Sequence, residues 1–409
     1  MKKSEFYQKA RDDLPGPLAG VRVVESTTTW AGPLAGCVLA DMGATVIKVE
    51  HPAGEVIRRL PPMLPDSNLF LPNETVNRNK QNVTIDLHKE QGVEIFLKLA
   101  ASADIVIENF RPGTMAKWGV GYEHVAARNP AVVYVSISGY GQFGPLSERV
   151  GYDPIAQFAS GWATQNGEPD GPPVKAGTFL CDDLAGMHGA VSALGALHHA
   201  KNTGEGQHVD VALIDAAHFQ SNGHLTAGAM GIEIEKWGSQ FAIAAPINRY
   251  ACQDGHVFAG VLLDTHWQRL AEIMGKPELK FDDRFATNLA RIQPENRSMA
   301  DGFLAQWCAE HTTGEVERIF EESGLPATRV NTYAESAARP HTLERDMLQP
   351  TVVSDGSVIP ITGPAAKFSR TPTKVRTAAQ PLGADTSRVL KELGYQEDEI
   401  YRFSEDHIV

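Results

Sequence analysis

The first half of the chain alternates short β-branched runs with longer stretches of helical spacing. "VRVVES" (21–26), "TVIKVE" (45–50), "DIVIENF" (104–110) and "AVVYVSISGY" (131–140) read as strands, and "VTIDL" (83–87) as a shorter one. Between them, "GPLAGCVLADMGA" (32–44) is an Ala-rich helix with a glycine near its end. "KEQGVEIFLKLAASA" (89–103) puts Val93, Phe96, Leu97 and Ala100 at helical spacing. Strands separated by helices predict an α/β fold with a parallel sheet, whose ligand loops follow the strand C-termini.

Leu184, Met187, Val191 and Leu194 recur at three- and four-residue steps, which predicts an amphipathic helix through about His199. "GEGQHVDVALID" (204–215) is a glycine turn followed by an alternating strand. The character then changes. Residues 226–325 contain the strand "GHVFAGVL" (255–262), a helix with Trp267, Leu270, Ala271 and Met274 on one face, and a Thr312–Glu315 capping box. This predicts a second, smaller α/β domain at 226–325, after a large domain whose N-terminal part is 1–225. "GLPATRVNT" (324–332) reads as the way out of it, "PTVVSDGSVIPITGP" (350–364) as short strands and turns, and 386–403 as two short helices.

Composition narrows the ligand classes. A net charge of −13 leaves no overall basic footprint for nucleic acid, so an anionic ligand needs a local cluster of Lys and Arg. The four cysteines, Cys37, Cys181, Cys252 and Cys308, lack CxxC spacing and read as free thiols, with no metal site. The N-terminus is polar and no stretch approaches a membrane span, which gives the expectation of a cytoplasmic protein without membrane contact.

The chemistry is less open. The first strand ends in "STTTWAGP", without the GxGxxG that brings backbone to a dinucleotide pyrophosphate, although Glu50 closes the second strand where an NAD enzyme keeps its ribose-binding acid. P-loop, HExxH and GxSxG patterns are absent. "GTFLCDDLAGMHGA" (177–190) sets Asp182 and Asp183 before a run of small residues. An aspartate there is a helix cap or a nucleophile, and adjacent helical residues point about 100° apart, so the two do not share one role. Ala185, Gly186 and Gly189 suit either a close ligand or tight helix packing.

Ten ordered stretches together resemble the class III CoA-transferases, also called the CaiB/BaiF or formyl-CoA transferase family. Among them are "PLAGVRVVE", "AGPLAGCVLADMGATVIKVEHPAGE", "NRNKQNVTIDL", "ADIVIENFRPGTMAKWGVGYEHV", "YDPIAQFASG" and "KFSRTPTKVR". The resemblance implies an interlocked homodimer with a Rossmann-like parallel-sheet large domain, to which 326–409 returns, and a small α/β domain. Asp182 matches the nucleophile of the pattern Asp-x-x-[Ser/Ala/Gly]-Gly, and Asp183 falls on a variable position beside it, as the helix-start acid. The implied reaction moves CoA from an acyl-CoA thioester to a small carboxylic acid through aspartyl anhydride and aspartyl-CoA intermediates. CoA is then a substrate, with no permanently bound cofactor, and the helix N-terminus is expected to offer N–H donors to the oxyanion.

The same resemblance places CoA against Asn109, Phe110, Arg111, Lys117 and Tyr140, with Asn79 and Lys80 as neighbours. Trp30 and Ala31 face the acyl pocket, together with Tyr152. Several departures matter. Trp30 stands where formyl-CoA transferase has a glutamine, Ser138 where it has a lysine, and His51 where several members have an arginine. The glycine-rich GGGGQ loop is missing, which speaks against oxalate as acceptor. Arg58 and Arg59 are candidates for an acceptor carboxylate, or surface charges. α-Methylacyl-CoA racemases of the superfamily use a Gly-His-Asp motif. Here Gly151-Tyr152-Asp153 replaces it, and tyrosine is a poor base near neutrality. A racemase-like isomerase and a non-catalytic CoA-binding protein are the alternatives.

Overall fold

The computed structural model describes residues 1–409. Six parallel strands form the main sheet: β1 (Arg22–Ser26), β2 (Thr45–Glu50), β3 (Lys80–Thr84), β4 (Ile105–Glu108), β5 (Val133–Ser138) and β6 (Gln207–Ala212). Their order is β3-β2-β1-β4-β5-β6, so the chain reverses direction of travel between β1 and β4. Strands β4 and β5 are buried along their length because both faces are covered, and apart from Glu108, Ser136 and Ser138 they are apolar or aromatic. One face packs on helices Ala31–Asp41 and Leu180–Thr203. The other packs on helix Glu90–Ala101 and the C-terminal helices Thr386–Glu392 and Glu397–Glu405.

β3 starts at Lys80, ahead of the expected stretch 83–87, with Lys80 opposite Val46 and Thr84 opposite Glu50. The polar residues Lys80 and Asn82, which look like loop, are buried strand residues. The chain's end closes over this edge: Thr386 Oγ1 accepts the Thr84 N–H at 2.9 Å, and Asp385 accepts the Asn82 N–H at 2.9 Å. A hairpin of β10 (Leu348–Val352) and β11 (Val358–Thr362) precedes it.

Contacts divide the chain into two compact units. One comprises Met1–Ala163, Lys175–Ile232 and Pro340–Val409, and the other Thr164–Val174 and Glu233–Arg339. The second unit has an antiparallel sheet of β7 (Ile247–Cys252), β8 (Gly255–Gly260) and β9 (Ala327–Arg329). Residues 327–329, read as an exit, are thus a third strand. Helices around the fully buried Trp267 complete its core, and the Thr312–Glu315 capping box is formed. No helix is long and apolar enough to cross a membrane.

Candidate active site

The C-terminal ends of β1 to β4 frame a cleft of about 340 Å³ at the point where strand order reverses. Ser26, Glu50, His51, His88, Phe110 and Trp118 lie along its wall. Beside it lies a buried ion network. Glu25 of β1 is fully buried between Lys48, 3.2 Å away, and Lys80, 2.8 Å away. Lys48 also holds Glu55 at 2.8 Å, and Arg58 grips Glu50 at 2.8 Å. Burial works against the charge on Glu25, but Lys80 and Lys48 outweigh it and keep the carboxyl below its ordinary value. Burial opposes the Lys48 charge too, yet Glu55, Glu25 and Glu50 raise that ammonium above the usual lysine range.

The network reaches the site through the loop after β1. The Thr29 N–H donates to Glu55 Oε2 at 2.7 Å. Asn109 accepts the Thr28 N–H at 2.7 Å and donates to the Thr28 carbonyl at 2.8 Å. These bonds hold Thr29 at φ +65°, a region that β-branched residues rarely occupy. Trp30 is thereby fixed at the start of helix Ala31–Asp41.

Helix Leu180–Thr203 carries Asp182 and Asp183 in its first turn, and neither caps it. The cap comes from a neighbouring helix. Asp153, buried at the start of helix Asp153–Ala159, accepts the N–H groups of Cys181 at 2.7 Å and Asp182 at 3.4 Å through Oδ1. Its Oδ2 accepts from the Gln157 amide at 2.7 Å, and Gln157 in turn accepts the Ala176 N–H at 2.7 Å. Two of the N–H donors at this helix end, those of Cys181 and Asp182, are therefore directed at Asp153. Asp183, expected as the helix-start acid, does lie in the first turn, and its carboxylate also accepts the Trp30 indole N–H at 2.7 Å. No protein group donates to the Asp182 carboxylate. Burial, then the charges of Asp153 and Asp183, push Asp182 up to about 7. Gly186 faces helix Ala31–Asp41 so closely that a Cβ would stand 2.8 Å from the Ala31 carbonyl oxygen. The small residues here serve helix packing.

The family profile of CoA-transferase family III matches residues 18–386. The chain belongs to CoA-transferase family III. It is 36% identical over 410 residues to an acyl-CoA transferase of Fusarium pseudograminearum, covering 96% of this chain and 88% of that one. It is 34% identical to the succinyl-CoA–D-citramalate CoA-transferase of Chloroflexus aurantiacus, covering 94% and 96%. A crystal structure of a CaiB/BaiF family protein from Brucella suis superposes with a TM-score of 0.83 at 32% identity, covering 93% of this chain and all of that one, 100%. The α/β fold and the transferase activity expected from the ordered motifs are thus those of its family.

Within this family III chain, the residues expected around CoA divide into two groups. Asn79 and Lys80 are committed inside the fold. The Asn79 side chain donates to Asp41 at 2.7 Å and to the Lys374 carbonyl at 3.0 Å, and accepts the Arg376 N–H at 2.6 Å. The Lys80 ammonium is spent on Glu25, on the Pro33 carbonyl at 2.8 Å and on Asn77 at 3.0 Å. Arg58 is likewise clasped by Glu50 and the Gln380 carbonyl, while Arg59 stands exposed. Phe110 lines the cleft, its ring 5.0 Å from Trp118 in an edge contact. Arg111 and Lys117 are exposed, Arg111 giving one donor to the Glu148 carbonyl at 2.9 Å. The Tyr140 ring covers Gly151, where a Cβ would lie 2.8 Å from it. Ala31 is buried, and Tyr152 is 60% exposed.

Sequence reasoning missed Asp153, Gln157 and Glu55 as supports of the site. The first two sit four residues apart on one helix face, which is a readable spacing. It also missed a trio at the cleft rim. His88 Nδ1 lies 2.9 Å and His51 Nε2 3.7 Å from Asp86 Oδ1. Their ligand atoms lie within 4.8 Å of one another. The Ala53 N–H, however, donates to His51 Nδ1 at 3.0 Å, which leaves the ring proton on Nε2. His88 is hydrogen-bonded to Asp86 while His51 stands just beyond that reach, and the trio is a poor metal site.

Proposed function

We propose that Asp182 is the nucleophile of a CoA transfer from an acyl-CoA thioester to a small carboxylic acid. The observation that carries this reading is the division of work among three neighbouring carboxylates. Asp153 caps the helix and Asp183 holds Trp30, while Asp182 alone accepts nothing. Its carboxylate attacks the thioester carbonyl, the C–S bond breaks, and a mixed anhydride and CoA thiolate result. The thiolate attacks the aspartyl carbonyl, forming aspartyl-CoA and releasing the donor acid. The acceptor carboxylate then attacks the aspartyl carbonyl and expels the thiolate, which takes the acceptor's acyl group and frees Asp182. No water enters, so the thioester's energy is kept. Tyr152 in place of a histidine base supports transfer over isomerisation.

CoA would lie in the cleft at the switch point, against Phe110 and beneath the Asn109 turn, with Arg111 and Lys117 toward its phosphates. A succinyl-CoA enzyme among its relatives suggests a thioester of a small dicarboxylic acid. Arg59 is the cation for the distal carboxylate. It ends the short helix Val56–Arg59, and Ile57 and Leu60 of that segment pack in one cluster with Trp30. With succinyl-CoA as donor, dicarboxylic acceptors should outpace acetate. Arg59→Gln should raise their KM about tenfold with kcat within about twofold. Equal turnover of acetate and dicarboxylates in the wild type would contradict the substrate class.

A homodimer fits the exposed apolar surface. Met187 and Val191 lie one turn apart on helix Leu180–Thr203, and the Phe219 ring, 75% exposed, lies 5.2 Å from His188 between them. Ile155 and Phe158 are further exposed apolar side chains, on helix Asp153–Ala159. Patches of this kind mark association surfaces.

A further inference from the structure

Trp30 and Asp183 are 153 positions apart in the chain, and each departs from or varies within the pattern that surrounds it. They meet in the fold. The indole Nε1–H donates to Asp183 Oδ1 at 2.7 Å. The Trp30 ring lies 5.5 Å from the Phe179 ring, tilted by 60°, and the side chain packs against the buried cluster of Cys37, Ile57 and Val76. Its backbone is pinned on the other side by Asn109 and Glu55 through Thr28 and Thr29. The ring is thus fixed at its main chain, on its face and at its single polar atom.

Asp183 has no cation within ion-pair distance, and its only side-chain bond is the indole. A partly buried carboxylate committed to one indole is costly to keep unless its placement matters. One residue on from Asp182 and about 100° round the helix, Asp183 can direct the Trp30 ring toward the reacting carboxylate's surroundings without competing for the thioester.

We propose that Trp30 and Asp183 form one specificity-determining unit, in which the carboxylate locks the indole as a rigid wall that limits the length of the acyl group reaching Asp182. This rests on the reading of Asp182 as nucleophile. The wall admits a short acyl chain and turns away a longer one. Neither residue touches the reacting atoms, so both act by position.

The test compares kcat/KM for succinyl-CoA and adipyl-CoA in the wild type, Trp30→Phe, Asp183→Ala, the double variant and Asp183→Asn. Trp30→Phe and Asp183→Ala should each shift selectivity toward adipyl-CoA by about tenfold or more. The double variant should shift it no further than the larger single, because both changes free the same wall. Asp183→Asn, which keeps the acceptor oxygen, should retain the wild-type ratio. Additive shifts, or single variants that are active with an unchanged ratio, overturn the unit. Asp182→Asn run alongside separates the two claims. If it is inactive while the shifts add, only the pairing fails. If it transfers CoA normally, the site reading fails and the wall with it.

Discussion

Asp182→Asn is expected to abolish CoA transfer, with a loss on the order of 10⁵ in kcat, while acyl-CoA still binds. Asparagine keeps the shape of the side chain but cannot form the anhydride. The same variant should be more stable than the wild type at high pH. Asp182 titrates near 3.8 when unfolded and about 7 when folded, so the folded state holds the proton more tightly. The penalty is absent below 3.8, grows between 3.8 and about 7, and is complete above about 7. Melting temperatures of variant and wild type should therefore agree near pH 4 and differ by about 2 °C or more at pH 8, in the variant's favour. Loss of activity together with a gain in stability separates a missing nucleophile from a damaged fold.

Asp153 carries the second large effect. Asp153→Ala removes the acceptor for two helix N–H groups and for Gln157; the bonds to Cys181 and Gln157 are buried and that to Asp182 is half-buried. A lost cap costs about 1–2 kcal/mol, and leaving the Gln157 amide with only the long bond to the Thr178 carbonyl, 3.4 Å, adds to it. Because the freed segment is the one that presents Asp182, kcat should fall by about a hundredfold as well. Asp153→Asn preserves an acceptor for Cys181 and removes the like charge. The groups facing Asp182 are then Asp183 on its own helix and the neutral Asn. The acid limb of the kcat profile, expected at about 7 in the wild type, should move to lower pH in Asp153→Asn. A limb that stays in place would mean that the profile reports another group.

The strands of the main sheet were legible because a parallel sheet covered on both faces favours short runs rich in β-branched residues, and "VRVV", "TVIKV" and "IVI" supply them, even with Arg22 and Lys48 set among them. β3 was misplaced for the complementary reason. Lys80 and Asn82 look solvated until Glu25, from a strand more than fifty positions earlier, is known to face Lys80. No local pattern announces such a pairing. The same holds at the two aspartates. Composition and spacing narrowed them to a cap or a nucleophile, but the cap is Asp153, whose bond to the Cys181 N–H spans 28 positions. Asp183, one step along the helix, is engaged by a tryptophan from the first loop. Local rules describe what a residue does for its own helix, and here the partners come from other elements.

The central claim is that Asp182 becomes covalently acylated. Incubating the protein with succinyl-CoA and hydroxylamine, followed by peptide mass spectrometry, tests it most directly. The expected result is a hydroxamate on Asp182 that requires succinyl-CoA, is absent from Asp182→Asn, and does not occur on Asp183 or Asp153. An active enzyme that leaves Asp182 unmodified, or that carries the label on Asp183, would contradict the mechanism.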